Sequence, residues 1–200
     1  MAREIEAIET IYKGKSFRSR TEARWAVFFD VLELNVKYEE EKITLDDGRY
    51  YLPDFYIEEF NCYFEVKGNH NDIVIEEASK ALTLSRMGKN VLLAKGAPSP
   101  ESPNIIYFNK VDEHHNFLKR DKDFLSIEEI LQEPTYLGRL MEDRRDKEIY
   151  WYSTEQPDCG GFSCICVLGG KGTATDHEKF PLIHWKVEMA YQAAQMHKFE

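Results

Sequence analysis

The sequence predicts a mixed α/β (α+β) fold, in which helices flank a central mixed sheet. A helix with a capping signal at Ser19 opens the patterned part of the chain, and strand-like stretches follow it between residues 36 and 67. A second helical stretch at 73–87 leads into a short apolar run at 89–94, which is typical of a buried strand. This order of helix, strands, helix and strand predicts a helix-flanked sheet.

The N-terminal region predicts two helices. In residues 3–12, apolar side chains recur at helical spacing, so we expect a short amphipathic helix there. Ser19 and Glu22 fit the Ser-x-x-Glu capping box, which opens a second helix running to about Leu32 or Leu34. The apolar face of this second helix consists of Trp25, Phe28, Phe29 and Leu32.

Aromatic and β-branched residues then predict several strands. Residues 36–38 and 42–45 are strand-like, and the turn signal Asp-Asp-Gly-Arg at 46–49 leads into a strand at 50–57. Polar turn residues separate this strand from the next one, at 62–67. We therefore expect the last two strands to form an antiparallel hairpin.

Side chains in the strand at 62–67 alternate between its two faces. Glu65 and Lys67 share one face, roughly 7 Å apart along the strand. Asp54, on the preceding strand, is expected to bring a second carboxylate to the same place. The opposite face carries the side chains that we expect in the core, namely Cys62, Phe64 and Val66.

The pattern weakens beyond a strand predicted at 104–108. Ser126 and Glu129 form another capping box, which opens a helix. The charged stretch 137–147 predicts an exposed helix. Further strands at 150–152 and 162–168 and a C-terminal helix at 181–199 complete the prediction.

We expect a core at residues 1–110 and a C-terminal α+β extension at 111–200 that packs on it. The extension offers a surface for a protein partner or for a homodimer. Its sequence does not indicate a catalytic role.

Composition limits the functions that the chain can have. Of its 200 residues, 42% are hydrophobic, which is enough for a substantial core. The formal net charge is −10 and neither half has a basic surplus, so contact with nucleic acid requires a local patch or a partner protein. No apolar run approaches the roughly 20 residues that cross a bilayer, and the charged N-terminus lacks a signal region. We therefore expect a cytoplasmic protein without a membrane partner.

The cysteines do not predict a disulfide framework. Cys62 stands far from Cys159, Cys164 and Cys166, and reduced thiols are expected in a cytoplasm. The last three, with His177 and His184 nearby, permit a zinc site as an alternative. Their spacing lacks the paired Cys-x2-Cys element of most zinc sites, so buried thiols are the preferred interpretation.

Asp54, Glu65 and Lys67 together form a set that can hold Mg²⁺ and cut a phosphodiester. Mg²⁺ prefers oxygen ligands and often binds through one or two carboxylates together with substrate phosphate. A purely structural alternative stays open. In that alternative, Pro53 and Asp54 mark a bulge or a strand edge, and Glu65 and Lys67 form an ion pair on a solvated face.

These residues resemble the signature of the PD-(D/E)XK nuclease superfamily. Arg-Ser-x-x-Glu at 18–22, Tyr-x-Pro-Asp-Phe at 51–55 and Glu-Val-Lys at 65–67 are similar to TnsA-type transposon endonucleases and to small phage and bacterial nucleases. The resemblance covers roughly residues 16–96. It implies a restriction-endonuclease-like core with a C-terminal appendage, and Mg²⁺-dependent hydrolysis of nucleic acid, usually DNA, in which Mn²⁺ can substitute.

The resemblance also implies roles for individual residues. Asp54 and Glu65 would bind the metal, with the Val66 carbonyl as a further ligand. Lys67 would position or deprotonate the attacking water, or stabilise negative charge in the transition state. Glu22 stands where such nucleases place a helical catalytic Glu, although its capping role explains it equally well.

The densest basic cluster includes Arg18, Arg20 and Arg24. These arginines could contact phosphates near the site, or they could form a solvated start of the helix. Two functions follow for the whole chain: a metal-dependent endonuclease of a phage, mobile-element or defence system in a prokaryotic or phage-infected cell, or a catalytically silent nuclease-fold protein with an interaction or regulatory role.

Overall fold

The protein is a mixed α+β structure whose main sheet has seven strands within the described part of the chain. None of the helices described is long and apolar enough to cross a lipid bilayer. The computed structural model describes residues 7–67, 75–101, 104–108, 119–120, 123–124, 126–132, 137–142, 149–153 and 185–199.

Helices and strands are numbered here in chain order over the described residues. The helices are α1 (Arg20–Val31), α2 (Ile75–Arg86), α3 (Ile127–Gln132) and α4 (Trp185–Met196). The strands are β1 (Thr10–Tyr12), β2 (Lys15–Phe17), β3 (Val36–Tyr38), β4 (Ile43–Thr44), β5 (Tyr50–Tyr51), β6 (Phe55–Ile57), β7 (Cys62–Lys67), β8 (Asn90–Lys95), β9 (Ile105–Phe108), β10 (Lys119–Arg120), β11 (Asp123–Phe124), β12 (Leu137–Glu142) and β13 (Ile149–Ser153).

The main sheet has the strand order β13-β12-β9-β8-β7-β6-β3. β7 and β8 are parallel, and α2 lies between them in the chain, as in a β-α-β unit. The other strand pairs described in this sheet are antiparallel. Because β6 runs antiparallel to β7, the start of β6 lies beside the ends of β7 and β8.

Each face of the sheet is covered by its own apolar cluster. The first cluster joins the sheet to α1 and α4 and includes Phe28, Phe64 and Leu92. The second joins the sheet to α2 and α3 and includes Leu82 and Leu93. Burial on both faces explains why the residues of β7 and β8 are buried almost throughout.

Helix α1 begins as predicted. The Ser19 hydroxyl oxygen accepts a hydrogen bond from the backbone N–H of Glu22 at 3.2 Å. Trp25 is fully buried, and its indole N–H donates to the Gly96 carbonyl at 2.9 Å. The helix is thereby fastened to the loop that follows β8.

The helix predicted at 3–12 is wrong for the described part of that stretch. Residues 10–12 form β1, which pairs with β2 through a two-residue turn at Lys13 and Gly14. Both turn residues have positive φ, 49° and 76°, as type I′ hairpin turns require. The turn and the β-branched residues before it favour the hairpin over a short isolated helix. Residues 1–6 lie outside the described residues.

The strand predicted at 50–57 is broken in two. β5 pairs with β4 in a small separate sheet, whereas β6 belongs to the main sheet. Pro53 lies between them, and it lacks the N–H that a continuous ladder would use. Asp54 therefore lies just before β6 rather than within a strand.

The helix predicted at 137–147 is wrong as far as the stretch is described. Residues 137–142 form β12, which pairs with β9 on one side and β13 on the other. Leu140 is fully buried in the first cluster. The charged residues of this stretch indicated helix, but hydrogen bonding to two neighbouring strands and the burial of Leu140 outweigh local propensity.

The remaining predictions of elements are largely confirmed. The strands predicted at 36–38 and 62–67 and the C-terminal helix are present, while 162–168 lies outside the described residues. Ser126 and Glu129 cap α3 reciprocally, as predicted. The division of the chain after residue 110 stays a prediction, and β12, β13 and α4 pack with the main sheet.

Helix α4 is tied to α1 and to the sheet by polar groups as well as by apolar packing. The Tyr191 hydroxyl donates to the Leu140 carbonyl at 3.1 Å, and its ring lies 4.6 Å from that of Phe28. Arg24 donates to the carbonyls of Ala194 and Gln195, the latter at 2.6 Å. A cation is favourable at this position because the last carbonyls of a helix carry partial negative charge.

We expect Arg24→Ala to lower the free energy of unfolding by about 1–2 kcal/mol, because it removes two charge-assisted hydrogen bonds to α4. Urea titration followed by circular dichroism measures the change. Arg20→Ala is the matched control, since Arg20 is exposed one turn earlier on the same helix, and its effect should stay within about 0.5 kcal/mol. An equal decrease in the free energy of unfolding in the two variants would contradict a stabilising contact between Arg24 and α4.

Candidate active site

Asp54, Glu65 and Lys67 come together at one end of the sheet. Because Phe55 pairs with Phe64, Asp54 lies opposite Glu65 across the two strands. The Asp54 Oδ2 atom accepts a hydrogen bond from the backbone N–H of Val66 at 2.7 Å. This bond fixes the carboxylate of Asp54 against β7, on the face that carries Glu65 and Lys67.

Lys67 reaches back along its own strand. Its ammonium donates to Glu65 Oε1 at 2.7 Å and lies 3.9 Å from a carboxylate oxygen of Glu77 on α2. Burial lowers the pKa of Lys67, but the negative charges of Glu65 and Glu77 outweigh it, so that its pKa is raised. Lys67 is therefore an ammonium at neutral pH in the metal-free protein.

Arg18 supplies a second cation from the start of α1. Its guanidinium donates to Asp54 Oδ1 at 2.7 Å and lies 2.6 Å from Glu39. The Arg18 side chain is 60% exposed, whereas that of Asp54 is only 3% exposed. The arginine is thus a solvated group that covers a buried carboxylate.

The two carboxylates are held in an unfavourable environment for charge. Asp54 and Glu65 are 2% and 4% exposed. The pKa of Asp54 is raised by burial, and further by the negative charges of Glu65 and Glu22. The pKa of Glu65 is also raised by burial, although Lys67 opposes the shift. The Arg18 ion pair is screened by water and does not reverse these effects.

Glu22 is fully occupied as a helix-capping residue. Its Oε1 accepts from the Ser19 hydroxyl at 2.7 Å. Its Oε2 accepts from the Tyr38 hydroxyl at 2.6 Å and from the Arg18 backbone N–H at 3.2 Å. The geometry favours the capping role of Glu22, although its charge still reaches Asp54.

The three arginines of the basic cluster have different surroundings. Arg18 contacts the site, and Arg24 is engaged by the carbonyls at the end of α4. Arg20 is exposed and makes no ion pair within the residues that the structure describes. Arg18 is therefore the member of the cluster that lies beside the carboxylates.

Cys62 is a buried free thiol in the first apolar cluster, and burial raises its pKa. Its position agrees with the expectation of a packing thiol. The zinc alternative falls outside the described residues, because that is where Cys159, Cys164, Cys166, His177 and His184 lie.

Tyr51 and Glu77 are site residues that the sequence did not indicate. Tyr51 is 2% exposed, and its hydroxyl lies close enough to Glu65 to favour the charged form of that carboxylate. Neither this hydroxyl nor Glu65 Oε2 has a well-formed hydrogen bond within the described part of the chain. Tyr51 lies on β5, outside the main sheet, so strand alternation around β7 could not reveal it.

The two carboxylates suit a hard divalent cation, but they do not form a full set of ligands by themselves. Glu65 Oε2 is a buried carboxylate oxygen that has no well-formed hydrogen bond within the described residues, and Asp54 lies close enough to be affected by its charge. Mg²⁺ can bind through two carboxylates and complete its shell with water and phosphate. The described residues contain no cluster of three or more Asp, Glu, His or Cys side chains able to hold a metal. The Val66 carbonyl stays the predicted further ligand.

The described surface also has a groove that lies away from the carboxylates. An open groove of about 500 Å³ beside Tyr38 is lined by Lys13, Lys15 and Lys37, among others. Lys13 is paired with Asp30, and Lys37 with Glu40 and Glu58, so this groove has little free positive charge. The carboxylates meet at the sheet end instead, beneath Arg18 and Lys67.

Comparisons with known proteins give no relative. No protein-family model, no curated protein and no solved structure matches the chain.

The raised pKa values of Asp54 and Glu65 predict how stability depends on pH. Both groups bind protons more tightly in the folded chain than in the unfolded chain, so their stabilising contribution is complete below about pH 4 and is lost as pH rises through the folded pKa. Asp54→Asn should therefore be more stable than the natural chain at pH 8 without divalent ions, by about 1–3 kcal/mol, and equally stable near pH 4.

Urea titrations in chelator at both pH values measure this difference. Asparagine can still accept the hydrogen bond from Val66, so the variant tests charge rather than geometry. Asp46→Asn, at an exposed turn position, is the control and should show no such change. A stability difference that does not grow with pH would exclude a strained carboxylate at position 54.

We expect Tyr51→Phe to weaken Mn²⁺ binding by about 10-fold at pH 7. The hydroxyl favours the charged form of Glu65, so its removal makes the carboxylate harder to ionise and to hold in place. Titration calorimetry measures the affinity. Tyr50→Phe removes an exposed hydroxyl from the adjacent residue and should leave the affinity unchanged. Equal affinities in the two variants would remove Tyr51 from the site.

Proposed function

We propose that this chain is a metal-dependent nuclease of the PD-(D/E)XK type, acting in the cytoplasm on DNA. The observation that carries the proposal is the meeting of Asp54, Glu65 and Lys67 at one end of adjoining strands. A restriction-endonuclease-like core is part of the proposal. It is supported by a mixed sheet with α1 on one face and α2 on the other.

Asp54 and Glu65 would hold the cation. When bound, Mg²⁺ polarises the scissile phosphate and makes a bound water more acidic. The carboxylates are buried close to one another, and each raises the free energy of ionising the other. Binding a divalent cation removes that repulsion, so the arrangement favours metal binding at neutral pH, where both protons can be released.

Lys67 would act as a fixed positive charge. Glu65 and Glu77 lie beside its ammonium and raise its pKa, which favours the protonated form. A protonated lysine cannot accept a proton from water, but it can stabilise the negative charge that develops on the phosphate. Of the roles open to Lys67, charge stabilisation therefore has the better support.

Arg18 would change partners during the reaction cycle. In the metal-free protein, the Arg18 guanidinium neutralises Asp54. A bound metal ion would take over that role from Arg18. Its side chain is largely solvated, so that breaking the ion pair has a small cost. Once displaced, the guanidinium can contact a substrate phosphate beside the scissile bond.

A silent nuclease fold is the second candidate function, and one observation favours it. Both Asp54 oxygens are engaged, by Arg18 and by the Val66 N–H, and Lys67 is bound to Glu65. The carboxylates thus have internal cations already. With a net charge of −10, such a protein would bind a protein partner rather than DNA, for instance through the C-terminal region.

The two functions are separated by cleavage assays. Plasmid, linear, branched and single-stranded DNA, and RNA, are incubated with Mg²⁺ or Mn²⁺ and analysed on gels. We expect metal-dependent cleavage, with kcat reduced by about 100- to 1000-fold in Lys67→Ala, because a charge is lost beside the reacting phosphate. Lys89→Ala, at an exposed position before β8, is the matched control and should cut normally.

Absence of cleavage on all substrates, together with absence of Mn²⁺ binding, would leave the silent interaction protein as the better proposal. Cleavage that survives Lys67→Ala and Asp54→Asn would place the activity elsewhere or in a contaminant.

A further inference from the structure

Two lysines end neighbouring parallel strands at the site. Lys67 of β7 and Lys95 of β8 are paired in register, about 4.8 Å apart at their backbones. Along β8, Val91 and Leu93 contribute to the cluster beneath α2. Alternation therefore places Lys95 on the face that carries Glu65 and Lys67, one strand further from Asp54.

The backbone around Lys95 is firmly held. Its N–H donates to the Asn104 carbonyl at 2.6 Å, and its carbonyl accepts from the Asn104 side chain at 3.1 Å. The next residue, Gly96, donates to the Lys67 carbonyl at 2.6 Å. The base of the Lys95 side chain is thus fixed relative to Lys67, as a positioned binding group requires.

The ammonium of Lys95 has no anionic partner within the described residues. By contrast, Lys67 is engaged by Glu65 and Glu77. Lys95 is partly buried, and burial lowers its pKa. A partly buried cation without a counter-ion carries an energetic penalty that a bound anion removes. An anion bound by Lys95 would lie beside the carboxylates rather than on them.

We propose that Lys95 binds a non-scissile phosphate of the nucleic-acid substrate, on the β8 side of the site. This inference rests on the proposed nuclease function. Arg18 lies at the β6 side, Lys67 at β7 and Lys95 at β8, so the substrate backbone crosses the ends of these strands. Arg18 and Lys67 are paired with carboxylates, so Lys95 is the cation of this row, within the described residues, whose charge is available to a phosphate.

The test uses the full chain and the DNA that it cuts best, and compares Lys95→Gln, Lys95→Arg and Lys89→Ala. Lys95→Gln keeps a long polar side chain but loses the charge. It should raise KM about 3- to 10-fold with kcat changed less than about 2-fold, because the contact is made equally in the ground state and transition state. Lys95→Arg should stay near the natural KM, and Lys89→Ala should match the natural chain.

The dependence on salt provides a second readout, which a structural role for Lys95 would not alter. Between 50 and 200 mM KCl, the slope of log(kcat/KM) against log[KCl] should become shallower by about 0.9 in Lys95→Gln on duplex DNA. Thermal melting checks that all variants are folded, and Lys95→Arg supplies the charge-retaining comparison if Lys95→Gln is unstable.

Two results would overturn the inference, and they are distinguishable. If the natural chain cuts DNA while Lys95→Gln and Lys89→Ala show the same KM and salt slope, Lys95 is not a phosphate contact and the nuclease proposal stands. If the natural chain cuts no nucleic acid, the nuclease proposal fails and the role of Lys95 fails with it.

Discussion

The hydrogen bond from the Val66 N–H to Asp54 is the contact on which the site depends. It joins the residue just before β6 to the end of β7 at 2.7 Å and fixes the carboxylate of a residue that lies outside the ladder. Pro53 makes this possible, because it interrupts the strand, so that Asp54 does not take part in the hydrogen-bond ladder of the sheet. The break between β5 and β6 is therefore part of how the site is built.

This construction stores electrostatic strain. Two carboxylates are buried together where a neutral pair of side chains would be more stable, and burial raises the pKa of both. Arg18 and Lys67 relieve it in part in the metal-free protein. Under the proposed function, a bound cation would relieve this strain, because buried carboxylates that repel each other favour a cation that neutralises them.

The sequence correctly predicted those features that depend on interactions between residues close together in the chain. The Ser19 cap, the alternation along β7 and the core positions of Cys62, Phe64 and Val66 follow from short-range rules. The stretches at 10–12 and 137–142 were predicted wrongly because a tight turn and pairing with distant strands outweigh helical spacing. The contacts of Arg18, Tyr51 and Glu77 join residues far apart in the chain, so no spacing rule could reveal them.

The charge of the chain shapes how a substrate would approach. At physiological ionic strength, charges are screened beyond about 8 Å, so the net charge of −10 repels DNA only near the surface. At the sheet end, Arg18 and Lys67 are paired with carboxylates, whereas Lys95 has no anionic partner within the described residues. Under the proposed nuclease function, non-specific binding would therefore be weak, and affinity would come from a phosphate backbone that lies across the strand ends. An acidic surface would then restrict binding to the geometry in which the proposed cleavage can occur.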